Sequence, residues 1–163
     1  MNNAKTWLEV SLSGGASKDL QAKIPFSEKQ IISEAVDCAK EGAGIIQVTA
    51  FEEDTGLIST NADIYSKIIE GIRTKVDAVV YPHTKAFSNE KDLKTDRLSP
   101  SLSLSEQLCE RGLLEWISVA PGSTNFTHYD ELKVDKLGVV LVNTEAQIRS
   151  CLKLAKINKV HPI

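Results

Sequence analysis

Short apolar runs rich in β-branched residues alternate along this chain with segments whose apolar residues recur at helical spacing. Strands show a period of two or a short continuous apolar run and helices a period near 3.6, so the alternation predicts βα units around a parallel sheet. The first strand is Trp7 to Leu12, ending at Gly14-Gly15. After a polar loop, Ser27 and Gln30 have the S-x-x-Q spacing of a capping box, and Phe26 is placed to staple onto Ile31. Ile31, Ile32, Ala35, Val36 and Ala39 give this helix its apolar face, and Gly42 ends it. The second strand, Ile45 to Ala50, empties into the acidic loop Glu52-Glu53-Asp54-Thr55-Gly56. Asn61 caps a second helix that carries Ile64, Tyr65, Ile68, Ile69 and Ile72 on one broad face. A third strand, Ala78 to Tyr81, is stopped by Pro82.

Residues Lys85 to Pro100 are rich in charge and turn formers, which predicts an exposed excursion. Ser103 and Glu106 suggest another capping box, for a short helix ending at Gly112. Trp116 to Val119 reads as the fourth strand, closed by Pro121-Gly122, and Leu137 to Val142 as an accessory strand. Thr144 with Gln147 caps a last helix through Ile148, Cys151, Leu152 and Ala155, and Val160 to Ile163 stands where a further strand is expected. The order implies an α/β fold of parallel strands, about half of a (βα)8 barrel, as a single domain over residues 1–163. A five-stranded flavodoxin-like domain binding a small ligand at its switch point is the alternative.

Composition narrows the function classes. The 163 residues are 42% hydrophobic, enough for one ordinary core. With 19 Lys+Arg against 22 Asp+Glu the net charge is −3, which gives no general attraction to nucleic acid or to an anionic membrane. No run approaches the roughly 20 apolar residues that span a bilayer, so a cytoplasmic protein is expected. Cys38, Cys109 and Cys151 lie far apart and read as small buried hydrophobes in a reducing compartment.

The carboxyl ends of barrel strands carry the chemistry, and those ends show a resemblance. Arg111-Gly112-Leu113-Leu114-Glu115 followed by Pro121-Gly122-Ser123-Thr124-Asn125-Phe126 is similar to the fourth strand and G-[ST]-x-N-F turn of the β-keto acid cleavage enzymes. Glu41-Gly42-Ala43-Gly44-Ile45-Ile46 resembles that family's entry into the second strand, and Asp54-Thr55-Gly56 the turn leaving it. Ser13-Gly14-Gly15 looks like its first-strand turn, and Leu141-Val142-Asn143 like the segment before its fourth helix. The likeness runs from Leu8 to Ile163 and covers the amino-terminal half of such proteins, which are metal-dependent barrels of the 3-keto-5-aminohexanoate cleavage type. It implies a retro-Claisen cleavage of a β-keto acid with acyl transfer to CoA, assisted by zinc or another divalent ion acting as Lewis acid.

The resemblance also implies two metal-binding histidines one residue apart on the second strand, where this chain has Gln47 and Thr49. Neither side chain is a good zinc ligand, and the implied third ligand, a glutamate, with a substrate-binding arginine, belongs to the second half of the family's barrel. No cofactor is therefore expected on this chain. His83 takes the site-facing position at the end of the third strand, where the family often has serine. It is a weak candidate for a metal or anion ligand, or a histidine hydrogen-bonded at a loop start. Ser123 either orients a substrate oxygen or satisfies the backbone of a tight turn. Gln47, Thr49, Asn125 and Ser13 are candidates for lining a substrate site. Glu52, Glu53 and Asp54 either attract a hard cation or form a solvated acidic turn.

Three functions follow as expectations: an acyltransferase that is incomplete alone, a catalytically silent scaffold, and a small-ligand-binding domain. The first brings a β-keto acid and acyl-CoA as partners, with a second copy or a complementary half-barrel chain. A half barrel has unpaired edges at Trp7 to Leu12 and Trp116 to Val119, and apolar inward faces at Leu8, Val10, Ile45 or Ile46, and Val79 or Val80. Association as a homo-oligomer is expected, unless Leu137 to Val142 folds back over an edge.

Overall fold

The computed structural model describes residues 6–13, 21–83, 100–126 and 139–163. The expected excursion from Lys85 to position 99, the Gly14-Gly15 turn and positions 137–138 of the accessory run lie outside these residues. Along the chain, β1 (Glu9–Ser11), α1 (Glu28–Lys40), β2 (Ile45–Val48), α2 (Ala62–Arg73) and β3 (Val79–Pro82) make the first half. The remainder is α3 (Pro100–Glu110), β4 (Trp116–Ile117), β5 (Thr124–Phe126), β6 (Val139–Leu141), α4 (Glu145–Asn158) and β7 (His161–Pro162).

β1, β2 and β3 form one parallel sheet in sequence order, with Ser11 opposite Gln47 and Gln47 opposite Tyr81. β4 lies beside β3 and pairs in parallel with β7, the strand expected at Val160 to Ile163. Sequential order of parallel strands, each followed by a helix, is barrel-like; a flavodoxin-like sheet places its second strand outside the first. The accessory strand does not join this parallel array. It pairs antiparallel with β5, Asn125 opposite Val140, and so covers neither sheet edge.

The helices share one side of the sheet, because alternate strand residues send their apolar side chains there. Ile46, Val48, Ala50, Val80 and Ile117 pack with Ile31 and Ala35 of α1, Tyr65, Ile68, Ile69 and Ile72 of α2, Leu104 and Leu108 of α3, and Ala155 of α4. Val10 and Leu12 pack against the same core, and Leu8 is exposed. The inward-facing assignment of Leu8 and Val10 is thus corrected: β1 is set one residue over, and its other face carries Glu9 and Ser11.

Capping decides where the helices begin. Ser27 with Gln30, and Thr144 with Gln147, make the reciprocal bonds of a capping box, and the Asn61 side chain accepts from the Asp63 N–H at 2.8 Å. Phe26 stacks on Phe51, ring centroids 5.1 Å apart, which ties the start of α1 to the end of β2. The box at Ser103 and Glu106 is not formed. α3 begins three residues earlier at Pro100, whose fixed φ and missing N–H suit a first helical position, so Ser103 lies inside the helix. The three cysteines are free and only half-buried, and burial raises the pKa of each thiol.

Candidate functional site

The face of the sheet opposite the helices is where β1, β2 and β3 become polar. Side-chain alternation puts Glu9, Ser11 and Ser13 there from β1 and its end, Ile45, Gln47 and Thr49 from β2, and Val79, Tyr81 and His83 from β3. The register makes Ser11, Gln47 and Tyr81 one row across the sheet. Continued by two residues, it makes Ser13, Thr49 and His83 the next row, at the carboxyl ends. Strands about 4.8 Å apart bring such rows within side-chain reach.

Gln47 is the hub. Its Oε1 accepts from Ser11 Oγ at 2.8 Å and stands 3.3 Å from His83 Nδ1, while its Nε2 donates to the Tyr81 hydroxyl at 3.2 Å. Tyr81 in turn donates to the Glu9 carboxylate. Burial, and then the hydrogen bond to Glu9 and its charge, push the Tyr81 pKa up, so the phenol remains a donor. Burial lowers the pKa of His83 and favours the neutral imidazole. Ser13 is 9% exposed, and its Oγ has no hydrogen-bond partner among the described residues. A buried hydroxyl without a partner carries a desolvation cost of about 1–3 kcal/mol and marks a place where a polar ligand atom or water fits.

Of the candidates read from sequence, Gln47 and His83 meet directly, and Thr49 and Ser13 share the carboxyl-end row beside them. Ser123 makes its hydrogen bond with the junction of β6 and α4. It is exposed in the loop between β4 and β5, where its Oγ accepts from the Asn143 N–H at 3.1 Å while Asn143 Nδ2 donates to the Gly122 carbonyl at 3.0 Å. Asn125 is placed by the β5–β6 ladder, and its side chain lies outside the described residues. Glu52 accepts from the Ser59 hydroxyl within a tight turn closed by the Phe51–Ile58 bridge, and Glu53 and Asp54 are exposed. A cleft of about 600 Å³ lies on the helix side of β2, between the start of α1 and this acidic turn, and does not include Gln47 or His83.

Glu9, Ser11 and Tyr81 were missed in the sequence, although the alternation rule finds them. Once Ser13 and His83 are placed in a site, the residues two and four positions back, Ser11, Glu9 and Tyr81, must share its face.

A zinc site does not fit this residue set. Zinc is held by imidazole, thiolate or carboxylate, whereas Gln47 has its amide engaged at both ends and Thr49 offers a buried hydroxyl. Among the described residues, no three of His, Cys, Asp and Glu converge on one point. Nor is any described helix long and apolar enough to cross a membrane.

Comparisons with known proteins agree with this architecture. The chain is similar in structure to a type I 3-dehydroquinate dehydratase from Clostridium difficile, with a TM-score of 0.54 and 13% sequence identity. That protein is a TIM barrel, and the match covers 99% of this chain and 51% of the other, so the chain spans about half its length. Such a likeness concerns the fold alone. A search of curated proteins gives no significant match. Residues 5–163 match the family model described as beta-keto acid cleavage enzyme, and on that match over nearly its whole length this chain belongs to the beta-keto acid cleavage enzyme family.

Proposed function

We propose that this chain is a metal-free member of its family, equivalent to about half a barrel, which holds a small polar ligand such as a β-keto acid on its inner face and does not cleave it unaided. The observation that carries this reading is Gln47. At a position that the family resemblance assigns to a metal ligand, it is instead the centre of a side-chain hydrogen-bond network. The retro-Claisen reaction builds negative charge on the keto oxygen, and losing the Lewis acid that stabilises it costs several kcal/mol of barrier. Ser11, Ser13, Thr49 and His83 remain able to bind and orient a ligand, with Ser123 and Asn125 as further candidates from the β4–β5 region.

The test has two parts. Protein purified without a histidine tag should carry far less than one zinc per chain by elemental analysis, and β-keto acids with acetyl-CoA should give no product above background. Stoichiometric, chelator-resistant zinc, or product formation abolished by Ser123→Ala, would overturn the proposal.

Assembly belongs to the same reading. Leu152 and Ile157 of α4 are 44% and 67% exposed, and Trp7 and Leu8 at the opposite end of the strand order are 73% and 56% exposed. Apolar surface of this kind favours association, at roughly 25 cal/mol per Å² buried. A second copy or a complementary half-barrel chain would cover it, which also suits a silent, scaffolding role. Sedimentation at micromolar concentration should show more than the monomer; a monomer at all concentrations tested removes the second copy from the proposal.

A further inference from the structure

The hydrogen bonds around Gln47 fix which atoms are donors, and the assignment runs in one direction. A carboxylate only accepts, so the Tyr81 O–H donates its hydrogen bond to Glu9. The Tyr81 oxygen is then an acceptor and must face the amide nitrogen of Gln47, 3.2 Å away. That choice orients the whole amide and leaves Oε1, which cannot donate, toward Ser11 and His83. His83 Nδ1 therefore carries a proton. In a neutral imidazole the other nitrogen then has none.

We infer that Glu9, Tyr81 and Gln47 are positioning residues that hold His83 as its Nδ1–H tautomer and leave Nε2 as a bare acceptor able to act as a general base. The inference rests on reading this face as the ligand site. Nε2 has no partner among the described residues, and His83 stands in the carboxyl-end row with Thr49 and the unpartnered Ser13 hydroxyl. The ligand class that fits is a small molecule with one hydrogen-bond donor and a nearby acceptor: an enol or hydroxy acid gives its proton toward Nε2 and receives one from Ser13 Oγ. In a base step the proton passes from the ligand to Nε2, the bonding pair stays on the ligand, and the imidazolium keeps its Nδ1–H on Gln47.

Among the described residues, Glu9 and Tyr81 are the titratable groups that share this face with His83. Burial holds the imidazole neutral at neutral pH, with its pKa below the ordinary histidine value. Acid protonates Nε2, so acceptor and base capacity disappear as pH falls through the lowered pKa.

Nitrogen NMR of the histidine rings in the full chain tests the inference without any ligand. Above the transition, His83, assigned by loss of its signals in His83→Gln, should show a protonated Nδ1 and an unprotonated Nε2, the reverse of free histidine. Gln47→Leu should return it to the Nε2–H form, and Tyr81→Phe should give a mixture, because the amide can then turn over. A purely structural Gln47 would change stability and leave the tautomer alone. Nε2–H at His83 in the unmodified chain overturns the inference. 3-Hydroxybutyrate, which carries a hydroxyl donor and a carboxylate acceptor, is then titrated in separately: a shifted Nε2 resonance supports the ligand site, and no shift at millimolar concentration counts against that site while the tautomer result stands on its own.

Discussion

Ile68→Ala is expected to lower stability by about 2–5 kcal/mol, the range for removing a fully buried aliphatic side chain and leaving a cavity. Ile68 is 0% exposed, on a helix that packs against α1, α3 and the sheet. Its neighbours Tyr65, Ile69 and Ile72 are equally buried, so few side chains are free to relax into the space. Tyr65 is further constrained, since its hydroxyl accepts from the buried Ala50 N–H at 3.1 Å. A domain of this size holds about 5–15 kcal/mol in total, so the loss is a large fraction and corresponds to a fall in Tm of about 5–20 °C. Leu57→Ala is the control. Leu57 is 68% exposed in the turn after β2, and its truncation should stay within about 0.5 kcal/mol. Urea unfolding with both variants decides the matter; a cost below about 1 kcal/mol for Ile68→Ala would mean that α2 is not the centre of the core.

The parts of the fold legible in the sequence were those set by local chemistry. The boxes at Ser27–Gln30 and Thr144–Gln147 need only four consecutive residues, and both formed where they were read. The apolar face of α2 needs only its own spacing. The failures came where two local signals competed or where distance along the chain mattered. At α3 the Ser103–Glu106 spacing mimics a cap, but the proline at 100 starts the helix first. On β1 the alternation of Leu8, Val10 and Leu12 gives the apolar parity correctly but does not say which of two possible layers it faces. The helices cover that side, so the polar parity lines the site instead. Tyr81 and Glu9 meet across 72 positions and Ser11 and Gln47 across 36, contacts that no periodicity within one segment encodes. Candidate residues were therefore found singly, at strand ends, and the network connecting them was not.

Removal of Val160 to Ile163 is expected to cost about 3–6 kcal/mol, although the segment is only four residues long. β7 is held almost entirely through its backbone. His161 N–H donates to the Glu115 carbonyl at 2.7 Å, Ile163 N–H to Ile117 at 3.0 Å, and Val119 N–H to Ile163 at 2.8 Å. Each such bond contributes roughly 1 kcal/mol net, and the buried Val160 side chain about 1.5–3 kcal/mol. Without the segment, β4 keeps the donors and acceptors of Glu115, Ile117 and Val119 unpaired at an open edge, and edges of that kind recruit other chains. The shortened protein should lose its cooperative unfolding transition or elute as aggregates. His161→Ala and Pro162→Ala separate backbone pairing from side-chain packing, because both residues are exposed and the alanine variants keep the ladder. Each should cost little, apart from the loss of the ring contact between His161 and Trp116, whose centroids lie 5.4 Å apart. An unchanged urea midpoint after truncation would show that β4 is stable as an edge and that the parallel array ends there.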